Sequence, residues 1–197
     1  MKFAVILFST IVLLGCSNPG LPTFHNQTLP CSKSNLPILE QPERDIVTGN
    51  GLVACYCVSS SISQGTSLEL SFVFQDEVHP SVWKDKFYRI YRRIVYGRTY
   101  DIESFHLIFG NDRKLRLADL KDVYSKGQFY LEDPVEHYDS VLNSQEIEIR
   151  NGRPVFYINT WNHLFSEKDA NPNLAKREWV EYELRKGSRE NLDNYFQ

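Results

Sequence analysis

The sequence predicts an α+β fold, a single domain built on a mainly antiparallel sheet with two or three helices. Three observations lead there. Residues 51–61 and 67–75 form two adjoining β-favouring segments, and the second alternates Leu68, Leu70, Phe72 and Phe74 with Glu69, Ser71 and Val73. Residues 80–96 carry Trp83, Phe87, Ile90, Tyr91 and Ile94 at helical spacing. Strand and helix candidates then follow in mixed order with no repeating β-α-β rhythm, which argues against a parallel sheet. The length of 197 residues fits about one domain, and no internal repeat is present.

The first two strands join through residues 62–66, whose Gly65 suits a hairpin-like turn. In the helix at 80–96, Ser81 can cap the start and Gly97 suits the end. Residues 100–109 are a strand candidate, followed by a Gly110-Asn111-Asp112 turn. Residues 114–117 either continue a hairpin or lead into a helix near 118–126, closed by Gly127. Residues 129–131 read as a short strand. Asp133-Pro134-Val135-Glu136 carries a helix-start signature, with an Asp cap and Pro in the first turn, and predicts a helix to about Asn143. Residues 146–150 and 154–161 flank Asn151-Gly152, the preferred type I′ pair, and make the clearest hairpin. Residues 166–176 form a polar loop, 178–186 a last strand, and 187–197 a polar tail.

The N-terminus has a separate character. Met1 and Lys2 precede an apolar run, FAVILFSTIVLL. Twelve helical residues reach roughly 18 Å, short of the roughly 30 Å of a bilayer core. A basic start, a short apolar stretch and a small residue read as a secretory signal. Leu13-Leu14-Gly15-Cys16 resembles the lipobox of bacterial lipoproteins. The resemblance covers the first sixteen residues and implies lipidation at Cys16, which becomes the new N-terminus. Ser17 in place of Asp implies transport to the outer membrane. Several acyl chains hold a protein stably, at about 0.8 kcal/mol per buried CH₂. The expected organisation is a signal peptide at 1–15, a lipidated N-terminus and Pro-rich tether at 16–50, and the α+β domain at 51–197. Asn26-Gln27-Thr28 is a glycosylation sequon, which a bacterial setting would leave unused.

Four cysteines occur: Cys16, Cys31, Cys55 and Cys57. In an oxidising compartment a disulfide is expected. Cys55 and Cys57 face the same way along one strand and bridge each other poorly. Cys31 is therefore expected to pair with Cys55 or with Cys57. A C-x-C metal site lacks nearby ligands, so no metal and no cofactor is expected.

Charge narrows the function further. A formal charge of −3 and 24% charged residues argue against a nucleic-acid binder. Residues 84–98 nevertheless hold six bases, among them Lys86, Arg89, Arg92 and Arg93, against one acid, Asp85. This basic face is a candidate for contact with an acidic protein or anionic head groups. Asn159-Thr160-Trp161-Asn162-His163 ends the hairpin with polar groups and a Trp, so Trp161 and His163 are candidates for a binding rim. The sequence holds no G-x-S-x-G elbow, P-loop or G-x-G-x-x-G. The acids around His137 (Glu132, Asp133, Glu136 and Asp139) are the best catalytic cluster, although acids also suit a helix start.

The expectation is a lipid-anchored protein of the bacterial envelope, facing the periplasm. Its partners are the membrane, through its acyl chains, and an envelope or exported protein. It acts as a non-catalytic interaction module, a build that immunity lipoproteins neutralising exported toxins share. The rivals are a hydrolase of envelope polymer, with His137 and nearby acids in its site, and a structural lipoprotein linking membrane and cell wall.

Overall fold

The computed structural model describes residues 19–25 and 31–197, so the lipobox with Cys16, the signal run and the Asn26 sequon lie outside the described residues. Among the described residues there are eleven strands, arranged as two mostly antiparallel sheets, and three α-helices, giving a single α+β domain that is mainly sheet. In chain order they are β1 (Ile38–Pro42), α1 (Glu43–Val47), β2 (Leu52–Ile62), β3 (Gly65–Phe74), α2 (Val82–Tyr96), β4 (Asp101–Gly110), β5 (Leu115–Asp119), β6 (Val141–Asn143), β7 (Ile149–Arg150), β8 (Arg153–Ile158), β9 (Phe165–Ser166), β10 (Lys176–Trp179), β11 (Leu184–Lys186) and α3 (Arg189–Phe196).

The larger sheet runs β11-β2-β3-β4-β5-β6, antiparallel except where β11 lies parallel to β2. The smaller runs β10-β1-β8-β7, with β9 also on β8 and β1 parallel to β8. Alternation along the strands explains how the sheets pack. Cys55 and Cys57 on β2, Leu68, Leu70, Phe72 and Phe74 on β3, and Phe105, Leu107 and Phe109 on β4 share a core with Leu39, Phe156, Ile158 and Phe165 of the smaller sheet. Phe105 lies 5.4 Å from Phe72, 5.0 Å from Phe156 and 5.1 Å from Phe165, ring centre to ring centre, so aromatic contacts bridge the two sheets. Ala54, Tyr56, Val73 and Ile102 point the opposite way and are covered by Leu192 and Phe196 of α3, with Leu21 and Phe24 alongside.

Several expected elements differ. Residues 36–50, read as tether, supply β1 and α1, and Leu36, Ile38 and Leu39 are buried. A disulfide joins Cys31 to Cys57, one of the two expected pairings, and ties this segment to β2. No helix forms at 118–126 or after Asp133: β5 takes the hairpin alternative and β6 returns along it. The acids that looked like helix caps are used in tertiary contacts, Asp133 with Lys84 and the Glu136 backbone N–H with the Gln128 side chain. Residues 129–131 form no strand, and 178–186 divide between β10 and β11 in different sheets. The tail is helical: α3 starts with a capping box between Ser188 and Asn191. The Asn151-Gly152 hairpin is present, both residues at positive φ (54° and 77°) as a type I′ turn requires.

Candidate functional site

Helix α2 has two faces, and the apolar one points outward. Trp83, Phe87, Ile90, Tyr91 and Ile94 are one face at i, i+4, i+7, i+8 and i+11. Trp83 and Phe87 are each 72% exposed and Ile94 is 79% exposed. The opposite face, Asp85, Arg89 and Arg92, packs against the domain. Arg92 is only 2% exposed; its guanidinium lies 3.3 Å from Asp76 and 3.5 Å from Glu77 and also donates to the Thr99 carbonyl. Arg89 pairs with Asp76 at 2.8 Å and with Asp85 at 3.0 Å. The acids just after β3 thus draw the basic face inward and leave the apolar face uncovered among the described residues. Gly97 ends the helix at φ 63°, and a Cβ there would lie 2.0 Å from the Phe196 carbonyl oxygen of α3. Glycine is therefore needed both for the turn and for the close approach.

Beside α2 an apolar groove of about 570 Å³ runs between Phe87, Tyr88 and Tyr91 on one side and Pro134, Val135 and Trp161 on the other. The basic residues flanking the exposed face are Lys84, which reaches Asp133 at 2.6 Å, Lys86, whose ammonium lies 5.0 Å over the Trp83 ring, and exposed Arg93.

A second cavity, of about 540 Å³, lies under the polar side of α2. Asp101 and Glu103 open β4 and line it, whereas the following residues of the same parity, Phe105, Leu107 and Phe109, are core. The β4 face therefore changes from charged to apolar along its length. Arg92 of α2, Arg98, and Arg189 and Asp193 of α3 close the other walls. Burial pushes the Glu77 carboxyl up to about 8, with the Asp101 charge adding to it. Burial likewise raises Glu103 well above the ordinary carboxyl range, again with help from Asp101. Asp101 itself is held below its usual value: burial opposes this, but the His163 hydrogen bond and charge outweigh burial.

The sequence candidates separate into distinct places. Lys86 and Arg93 stay at the surface on α2, while Arg89 is half-buried and Arg92 is buried in ion pairs, so these four side chains do not form one continuous basic face. Trp161 and His163 form no binding rim. Trp161 is buried, with its indole N–H donating to the Glu132 carbonyl at 2.9 Å. His163 is fully buried, 2.7 Å from Asp101 and 3.1 Å from Asp45, and stacks on Phe74 at 3.9 Å. Cys55 is a buried free thiol whose pKa burial drives far upward, so it is not a ready nucleophile. His137 does line the cavity, but both its ring nitrogens are engaged, Nδ1 with the Asp122 carbonyl at 2.7 Å and Nε2 with the Asn162 amide at 3.0 Å. Among the described residues no three His, Cys, Asp or Glu side chains are placed to hold a metal ion, and no helix is long and apolar enough to cross a membrane.

Sequence reasoning missed Glu77, Asp101 and Glu103, and read Asn162 only as one member of a polar rim. One signal was present: two acids at alternating positions, Asp101 and Glu103, on a strand whose next positions of that parity are all apolar. The chain matches no protein-family model, no curated protein and no solved structure.

Proposed function

We propose that the protein is a lipid-anchored lipoprotein of the bacterial envelope whose domain is a non-catalytic protein-interaction module. The outward apolar face of α2 carries this reading. Water-soluble domains seldom leave a contiguous row of Trp, Phe and Ile side chains uncovered, and such rows mark partner sites. The groove alongside favours a protein over a flat surface, because an anchoring side chain can enter it. Lys86 and Arg93 at the edge suit a partner with acidic residues around an apolar segment. Acyl chains on Cys16 would hold the domain at the outer membrane, facing the periplasm, where envelope and exported proteins are met.

The test places a photo-activatable phenylalanine at position 87, with position 181 as an exposed control. On irradiated cells, position 87 is expected to form one discrete protein adduct that Ile94→Asp abolishes. Absence of that adduct, or the same adducts from position 181, overturns the reading. Cys16→Ser is expected to leave the protein unprocessed and out of the membrane fraction; unchanged fractionation overturns the anchor alone.

A further inference from the structure

The cavity beneath α2 has hydrogen-bonding and charge needs that the protein does not meet. Its guanidinium groups all have partners. Arg92 is held by Asp76, Glu77 and the Thr99 carbonyl. Arg98 donates to the Tyr100 carbonyl and faces Asp193 at 3.6 Å. Arg189 takes both Asp193 oxygens, at 3.0 and 2.8 Å, and the Ile102 carbonyl. The acceptors are less well served. Glu103 is only 9% exposed, lines the cavity, and has no hydrogen-bond or ion-pair partner among the described residues. Asn162 is only 7% exposed; its amide N–H₂ donates to His137, and its Oδ1 has no partner. Glu77 reaches one cation, Arg92, at a loose 3.5 Å.

What Glu103, Glu77 and Asn162 Oδ1 lack is donors close by: the exposed Lys121 also lines the cavity, but among the described residues it pairs with none of the three. An anion would find no unoccupied guanidinium. An ammonium group brings three N–H donors, one positive charge and no acceptor. Tyr88 and Tyr96 line the same cavity but already carry Arg92 and Arg98 over their rings, at 5.7 and 5.8 Å, so recognition falls to the carboxyl groups and the amide oxygen. The volume falls within the roughly 300–1,000 Å³ of small-molecule sites. We propose that this cavity is a binding site for a small amine, with Glu103 and Glu77 as its counter-ions and Asn162 Oδ1 accepting one of its N–H bonds.

The groups around the two glutamates set the pH dependence. Asp76 lies beside Glu77 in the chain, and Tyr88, Arg92 and Tyr96 face the cavity from α2. Arg98 faces it from the connection after α2, Asp101 from the start of β4, Arg189 and Asp193 from α3, and Lys121, Asp122 and His137 from the loop after β5. His163 stands behind Asp101. In the empty site Glu77 is protonated below about 8. An arriving ammonium ion stabilises the carboxylate, so binding releases a proton and tightens as pH rises toward 8.

The experiment is calorimetric titration of the mature protein with putrescine, and with butanediol as its uncharged counterpart. Repeating it at pH 7 in buffers of different ionisation enthalpy measures proton release. Expected are saturable binding of putrescine, none of butanediol, about one or two protons released per site, and at least tenfold weaker binding by Glu103→Gln. No binding of putrescine, equal binding of the diol, or binding without proton release overturns the proposal. All three are read on the unaltered protein and do not depend on the variant folding. The groove and the cavity share Glu77, Tyr88, His137 and Asn162, but the photo-adduct is read from exposed Phe87, which lines the groove alone, and amine binding from Glu103, which lines the cavity alone, so either result can fail without the other.

Discussion

His163 connects parts of the chain that are far apart in sequence. Its Nδ1 donates to Asp101 at the start of β4, and its Nε2 to Asp45 in α1, 118 residues earlier. The Asp45 carboxylate also accepts from Gln41 at 2.6 Å, Asn50 at 3.0 Å and Tyr130 at 2.8 Å. Burial alone would lower the His163 pKa, but the two carboxylates outweigh it and push it up to about 10, so the ring is an imidazolium at neutral pH. Removing one partner of a buried ion pair leaves uncompensated charge, a loss of about 3–5 kcal/mol. His163→Leu is expected to lose that much in urea denaturation, and a loss under 1 kcal/mol would show that the carboxylates simply take up protons instead. None of this was legible in the sequence. The polar run 159–163 looked like a solvent rim because its partners, among them Ser125, Asp45 and Asp101, are distant in the chain.

The elements were legible in proportion to how local their causes are. The Asn151-Gly152 turn, the alternation of β3 and the spacing of α2 are short-range patterns, and all three elements formed. The orientation of α2 was not local, because it depends on Asp76 and Glu77 holding Arg89 and Arg92. The apolar periodicity was correct, but the spacing alone does not tell which face turns outward. Helix α3 was missed for the opposite reason: in eight residues only Leu192, Tyr195 and Phe196 are apolar, too few for a period, yet Leu192 and Phe196 close the outer face of the sheet. These two helices predict contrasting variants. Phe87→Ala, at an exposed position, is expected to change folding stability by less than about 0.5 kcal/mol and to weaken partner binding. Leu192→Ala is expected to cost about 2–5 kcal/mol through the cavity it leaves. Thermal melts of both variants check this; a strongly destabilised Phe87→Ala would mean that α2 packs inward. Reducing the link between Cys31 and Cys57, which spans 26 residues, is expected to cost about 3 kcal/mol. Cys31→Ser compared with the parent in urea measures it.

At the scale of the whole molecule, the buried charges give stability a directional dependence on pH. Glu77 titrates near 8 in the fold, against roughly 4.3 in an unfolded chain. Between those values the folded state holds the extra proton, so stability falls as pH rises. Glu103, raised by burial, acts with the same sign. For His163, whose folded value is about 10, the contribution is fully present below roughly 6.5 and is lost as pH climbs through 10. Asp101 opposes on the acid side, with the more exposed Asp133, Glu148 and Glu181: their lowered values contribute stability that disappears as pH falls through them. Glu77 and Glu103 line one cavity and His163 lies behind it against Asp101, so the losses from these three accumulate as pH rises. The urea midpoint is therefore expected to be highest near about pH 5 and to fall steadily toward pH 9. Glu103→Gln, which keeps the shape of the protonated side chain, is expected to flatten that decline while leaving the acid side unchanged. A midpoint that rises from pH 5 to pH 9 would show that the two glutamates are ionised in the fold, and would remove the proton release on which amine binding to the cavity depends.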